Sequence, residues 1–486
     1  MDLKVSKWTD KFIHQDIIDD FKTVENKGTE LEQAETLRIA AEDNRVTAET
    51  LRETTTDAIK TDYDNATKAN LSVEVSNARG VFGTLKARLD GSDSSLANIM
   101  HQNKLFKLPN VMAIPPTITL GAVDAASTLT NPILYPSVDS SGVLNPVFNY
   151  IGGEYVRKST NYPGNMCVYN IARTTTNTVG NIIVEFCHYG TSFELREKSY
   201  GLTYKIAVDE GNGYEYVTAV AQSGTPSTGT LYLRKVEFAE AKLRKIRVEY
   251  HNYYFCGVYI NGNDTIFTPK TKKPQAIFVG DSYTEGSNAD NFCGCFAGVM
   301  AKLLDWDFWN SGVGGSGYIN PGTTGRVKFR DRIQHDVISY KPDFCIIAGG
   351  INDTGYAPID VQTEAELLYD TILSGTPKTQ IIVIGNWSSQ DAIPDALAIT
   401  DALKAAALSK GLPFIDVLRG TTYDKNGNIL TNAVGAWIAG TGDEETPTTS
   451  GNSSAFISTD GTHPNKKGHE YLGTRSAIET IKILNN

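Results

Sequence analysis

The 486-residue sequence is poor in cysteine, with six residues in all, Cys167, Cys187, Cys256, Cys293, Cys295 and Cys345. Spread over this length they form no disulfide framework. Cys293 and Cys295 have the spacing of a half metal site but no second pair, so no metal or cofactor site is expected. Cys345 lies in the apolar run Phe344 to Ala348 and reads as a buried free thiol. Positive charge is also short: 45 Lys and Arg stand against 56 Asp and Glu, a net −11. With no basic cluster, a nucleic-acid partner is not expected. No apolar run reaches membrane-spanning length, and the start, Met1-Asp2-Leu3-Lys4, carries no apolar signal-peptide core. The expectation is synthesis in a cytoplasm without ordinary secretion or membrane insertion.

What is present is a globular composition, 40% hydrophobic and 21% charged, in a chain too long for one core. Residues 1–30 mix aromatics and acids. Phe12, Ile13, Ile17, Ile18 and Phe21 suit a short amphipathic helix. From residue 31 the composition changes. Ala34-Glu35-Thr36-Leu37-Arg38 returns fourteen residues later as Ala48-Glu49-Thr50-Leu51-Arg52, with Ala41-Glu42-Asp43-Asn44-Arg45 midway. The period is seven, which predicts a parallel α-helical coiled coil with a small-residue seam over 31–100. Leu85, Leu89 and Leu96 stripe its end. Residues 101–117, with Pro109, Pro115 and Pro116, read as an extended linker.

Residues 118–268 look all-β. Ile182 to Phe186, Tyr204 to Val208, Thr230 to Leu233 and Lys245 to Tyr250 are strand-like, separated by turn residues such as Tyr189-Gly190-Thr191 and Gly211-Asn212-Gly213. Short strands with Gly and Asn turns predict a jelly-roll-like β-sandwich. Tyr253-Tyr254-Phe255 either packs in it or lines a sugar site.

Residues 269–486 alternate between strands and helices. Ala276 to Val279, Trp306 to Trp309, Phe344 to Ala348, Gln380 to Ile384 and Pro413 to Val417 are apolar strands. Phe292 to Leu304, Glu364 to Ser374 and Ala392 to Lys410 are helical between them. That rhythm predicts an α/β/α domain with a parallel sheet covered on both faces. Its ligand would sit at the carboxyl ends of the strands.

Three polar segments follow such strand ends: Gly280-Asp281-Ser282-Tyr283-Thr284-Glu285-Gly286, Asn310 to Gly315, and Gly350-Ile351-Asn352-Asp353. A fourth, Asp460-Gly461-Thr462-His463, lies near the end of the chain. Together they supply the parts of a serine hydrolase. Ser282 is a nucleophile needing a base. His463 is that base, and Asp460 three residues earlier reaches it within one turn. The Ser282 N–H, the Gly315 N–H and the Asn352 amide are oxyanion donors. A helix starting at Ser282 would add its dipole. The glycine run could equally hold phosphate, but it lacks the Gly-Lys-Ser/Thr ending. Asp424 to Asn428 looks like a calcium loop without its bidentate acid, and so reads as a turn. His469 reads as a surface histidine, and Trp387 and Trp437 as either packing or sugar platforms.

Residues 275–486 resemble the SGNH hydrolase superfamily, or GDSL esterases, through these four blocks. The resemblance implies a flavodoxin-like three-layer domain, Ser282, Gly315, Asn352, Asp460 and His463 as catalytic residues, no metal, and an acyl-enzyme. A β-sandwich before such a domain looks like the two-domain carbohydrate esterases that remove acetyl groups. The heptads, with Ser76 to Gly80 and Leu89 to Gly91, resemble tail-fibre and baseplate proteins of phages. That likeness implies a homotrimeric virion protein, docked by its N-terminus to other tail proteins and facing a host teichoic acid or capsule. A free bacterial carbohydrate esterase, and a glycan-binding receptor protein with a vestigial site, are the alternatives.

Overall fold

The computed structural model describes residues 105–486, apart from 140–141, 153–154, 159–166, 171–180, 200–202, 224–229, 252, 270–272, 324, 388, 390–393 and 444–450. The attachment segment and the heptad stalk lie outside the described residues. Residues 105–116, expected as a linker, run without a helix. They are nonetheless docked at both ends. The Phe106 N–H donates to Leu303 O at 2.8 Å, and Met112 N–H to Tyr216 O at 2.9 Å.

The β region is one bent antiparallel sheet of twelve described strands. Its spine is a pair of long strands, β1 (Ile182–Ser199) and β3 (Leu231–Tyr250), with β2 (Thr203–Asp209) and β4 (Tyr253–Ile260) beside them. Tyr189-Gly190-Thr191, expected as a turn, is instead the bend inside β1. Its register with β3 slips between Glu237 and Lys242, a bulge that lets both strands fold over. Gly190 is needed there, because a Cβ would sit 2.3 Å from Asp264 Oδ2. The two arms close on one apolar core that includes Phe186, Phe193, Val236, Val248, Phe255 and Val258. Tyr253 and Phe255 are fully buried and Tyr254 nearly so. These aromatics pack; they are not a sugar platform.

The hydrolase-like region is a second sheet. β5 (Gln275–Gly280), β6 (Asp307–Gly312), β7 (Phe344–Ala348), β8 (Gln380–Ile384) and β9 (Phe414–Asp416) are parallel, in the order β6-β5-β7-β8-β9. An antiparallel hairpin extends it, β10 (Thr421–Tyr423) and β11 (Ile429–Thr431), which the sequence reading missed. The Asp424 to Asn428 loop is its turn. Asp424 Oδ1 accepts the N–H groups of Asn426 and Asn428, both at 2.8 Å.

Alternate residues of the buried strands face opposite layers, as the pleat requires. Ala276 and Phe278 pack with α2 (Phe296–Leu304) and α5 (Lys466–Leu484), through Met300, Leu304 and Leu472. Ile277 and Val279 pack with α3 (Pro358–Gly375) and α4 (Pro394–Ser409), through Leu368, Ile372 and Leu403. The chain leaves β5 for β6 on one side and then returns to β7 on the other. The order reverses at β5, where such sheets open a crevice.

The two sheets meet through buried charges. Lys302 on α2 reaches Tyr216 Oη at 2.5 Å, Cys293 O at 2.8 Å and Glu249 Oε1 at 3.2 Å. Glu249 also pairs with Arg247, 3.2 Å away. Burial pushes the Glu249 carboxyl up, but Lys302 and Arg247 outweigh it and hold the group below its ordinary value. Lys302→Met is therefore expected to cost about 3–5 kcal/mol in urea unfolding, since it leaves Glu249 with part of its compensation. Adding Glu249→Gln should recover some of that loss, and no recovery would place the defect in packing instead.

Candidate active site

Ser282 follows β5 directly. Asp281 caps the one-turn helix α1 (Ser282–Glu285), its Oδ1 accepting the Tyr283 N–H at 2.9 Å. Gly286, at φ 98°, ends that helix. The helix expected to start at Ser282 is a single turn, with α2 beginning only at Phe296, and its dipole is correspondingly small. Gly280 permits the tight exit from the strand. A Cβ there would lie 2.0 Å from Thr284 Oγ1 and 2.4 Å from Ala348 O.

His463 comes from a loop 181 residues later. Its Nε2 lies 2.8 Å from Ser282 Oγ, and its Nδ1 lies 2.8 Å from Asp460 Oδ2. Asp460 also accepts Thr462 N–H, His463 N–H and Ser458 Oγ–H at Oδ1, each at 2.9 Å, and Asn288 Nδ2–H at Oδ2 at 2.8 Å. Desolvation acts upward on its carboxyl. The bonds from the His463 and Thr462 backbones and from the His463 and Ser458 side chains outweigh it and hold the carboxyl well below the usual range. An ionised carboxylate only accepts. This assigns the imidazole proton to Nδ1 and leaves the Nε2 lone pair facing the serine hydroxyl. The Tyr283 ring lies behind the imidazole, 5.9 Å between centroids, and its hydroxyl donates to Thr462 O at 2.6 Å.

Gly315 and Asn352 occupy the loops after β6 and β7, at the same sheet edge. Gly315 has φ 74°. The Asn352 amide donates to Ser316 O at 2.9 Å, and its second N–H direction remains for another acceptor. Asp353 is buried and accepts Tyr318, Ile319 and Asn320 N–H groups at 2.9–3.0 Å, which folds the glycine loop toward β7. All five residues expected at the site therefore converge on the carboxyl edge of the sheet around β5. Only the Ser282–His463–Asp460 chain is in direct contact.

Several residues here escaped the sequence reading. Arg332, fully buried, donates to Gly280 O at 2.9 Å and Ser311 Oγ at 2.6 Å, and so ties the ends of β5 and β6 together. Asn288 and Ser458 hold Asp460. Asn288 lies just past the first block, and that position is the signal in the sequence that points to it. Trp387 stacks on Tyr283 at 5.4 Å and Trp437 lies under Arg475. Both are buried, so both are packing. Cys293 and Cys295 are buried free thiols. Among the described residues no group of His, Cys, Asp and Glu is placed to hold a metal.

His469 is not on the surface. It is buried, accepting Phe296 N–H at Nδ1 (3.2 Å) and donating from Nε2 to Ser287 O (2.8 Å). It thereby ties α5, just beyond the histidine loop, to the turn that carries Ser282. Burial pushes its pKa down to about 4, more than the Ser287 bond raises it. The unfolded chain takes up this proton below about pH 6.5, and the folded protein only near pH 4. Stability contributed above pH 6.5 is thus lost as the pH falls, by about 3 kcal/mol. The loss should appear as the difference between wild type and His469→Gln in denaturant unfolding at pH 7 and at pH 4, because the raised carboxyls of Asp281 and Asp307 act in the opposite direction over the same range in both proteins.

Residues 278–471 match the model of the GDSL-like Lipase/Acylhydrolase family. A GDSL lipase of Mycobacterium tuberculosis is 27% identical over 223 residues, covering 42% of this chain and 80% of that protein. Among solved structures, a family two carbohydrate esterase from Cellvibrio japonicus has 14% identity and a TM-score of 0.48, covering 73% of this chain and 98% of its own. An acetyl xylan esterase of Butyrivibrio proteoclasticus has 11% identity and a TM-score of 0.45, covering 71% and 97%. The C-terminal region is a GDSL/SGNH acylhydrolase domain, and the enzyme is an SGNH-type esterase.

Proposed function

We propose that the protein is a serine esterase that removes short acyl groups, acetyl first, from hydroxyls of a cell-surface polysaccharide. The observation that carries the reading is the unbroken hydrogen-bonded chain from Asp460 through His463 to Ser282, 2.8 Å at each step. Ser282 Oγ attacks the ester carbonyl as its proton passes to His463 Nε2. The tetrahedral oxyanion is held by the Ser282 and Gly315 N–H groups and the Asn352 amide. His463 then protonates the departing sugar oxygen. Water, activated by the same imidazole, releases the acid and restores the serine. The side chains of Asp460 and His463 are 43% and 24% exposed, and Asn288, Ser458 and Thr462 surround them. A base and carboxylate that open to water among polar groups, beside a buried serine, favour a hydrated polyol over a lipid.

The test is mass spectrometry of acetylated xylan and of purified wall teichoic acid before and after exposure to the full chain. Acetate loss that disappears with Ser282→Ala supports the reading, and unchanged polymer overturns it.

The heptads at Ala34, Ala41 and Ala48 favour a further placement: an esterase tip on a trimeric phage fibre, acting from the virion on a host wall or capsule. Sedimentation equilibrium of the full chain should then give three times 53.0 kDa. A monomer would leave the free carbohydrate esterase as the reading.

A further inference from the structure

We infer that Glu285 and Arg326 are positioning residues that fix the peptide plane between Gly314 and Gly315, and so aim the Gly315 N–H. The inference rests on the esterase reading above, in which that N–H is an oxyanion donor.

Both backbone groups of Gly314 are held by charged side chains of opposite sign. Its N–H donates to Glu285 Oε2 at 2.7 Å. Its carbonyl accepts from Arg326 Nη1. In a trans peptide the carbonyl of one residue and the N–H of the next point in opposite directions across one rigid plane. A guanidinium that holds Gly314 O therefore directs the Gly315 N–H to the far side. Two anchors, one on each side of the Gly314 Cα, leave that plane little freedom to rotate. Glycine at 314 and 315 would otherwise allow much.

The clamp stands beside the nucleophile. The point a Gly314 Cβ would occupy is 2.5 Å from Glu285 Oε2, 3.5 Å from Arg326 Nη1 and 3.6 Å from Ser282 Cβ. Glu285 closes the same one-turn helix that Ser282 opens, so nucleophile and donor are referenced to one element. Arg326 is backed by Gly322, whose Cβ would come 3.3 Å from Arg326 Cδ. A charged donor on the carbonyl also polarises the amide and strengthens its N–H as a donor. Neither residue belongs to the motif blocks as oxyanion groups, and neither needs to touch substrate.

The test uses the full chain with p-nitrophenyl acetate and with phenylboronic acid, which forms a tetrahedral adduct on an active serine. Arg326→Gln is expected to lower kcat roughly 10–100-fold with KM nearly unchanged, less than the loss of a whole donor. Boronate inhibition should weaken by a similar factor, which a merely structural role would not produce. Arg326→Lys should recover part of both. Glu285→Ala should behave like Arg326→Gln, and Glu285→Gln, which still presents an acceptor oxygen, should keep most activity. This second pair decides the matter if Arg326→Gln fails to fold. A kcat within twofold of wild type in a folded Arg326→Gln or Glu285→Ala, or a lower kcat with unaltered boronate affinity, overturns the inference alone. A wild type without turnover overturns the esterase reading and this inference with it.

Discussion

Ser282→Ala is expected to lower kcat for a small acetyl ester by about 10⁶-fold, leaving only what the donors and binding supply. Among the described residues, the hydroxyl at 282 is the oxygen bonded to His463 Nε2. Without it the imidazole has no proton to take and the carbonyl no nucleophile to meet. The fold should tolerate the change. The alanine removes one atom from the side chain that opens α1, and the freed Nε2 belongs to a histidine that water already reaches. Melting temperature within a few degrees of wild type, with turnover gone, is the expected pair of results. Turnover above about a hundredth of wild type would remove Ser282 as nucleophile, because bound water cannot supply a rate of that size.

The second large effect is Asp460→Asn, expected to cost about 10⁴-fold in kcat at mildly alkaline pH. Asp460 receives donors on both oxygens, from Ser458, Thr462 and His463 on one and from Asn288 and the imidazole on the other. An asparagine must turn its NH₂ toward one of these sets. Facing the imidazole, it makes Nδ1 an acceptor and moves the ring proton to Nε2, where the serine proton must go. Facing the other way, it opposes two backbone N–H groups that cannot turn aside. Either way the base is lost or the loop shifts. Steady-state kinetics on the purified variant measures this, and a loss below tenfold would mean that the loop backbone alone orients His463.

Some of the fold was legible because the signals are local. The strands Phe344–Ala348 and Gln380–Ile384 were readable to the residue, since each is, apart from the exposed Gln380, an apolar run that must be covered on both faces. The Gly280 and Asp460 blocks were readable because a glycine-flanked serine after such a strand, and a carboxylate three residues before a histidine, limit what the chain can do nearby. The β region was read less well. Gly190 looked like a turn residue, and it is the hinge of an eighteen-residue strand because Asp264, from a distant segment, occupies the space a side chain would need. His469 looked like a surface histidine and is buried, and Trp387 looked ambiguous, because their surroundings come from other parts of the chain.

The amino-acid sequence by itself determined the five parallel strands of the C-terminal region, the placement of three polar blocks at their ends and the chemical types they bring, since periodicity, turn residues and functional groups are carried by near neighbours. Tertiary structure alone decided which charges are paired and what aims the site. Lys302 with Glu249, Arg332 with Gly280, and Glu285 and Arg326 with Gly314 are contacts between segments whose distance along the chain says nothing of their distance in space. A hydrogen bond is fixed by a few tenths of an ångström and an angle, and only the packed layers set those.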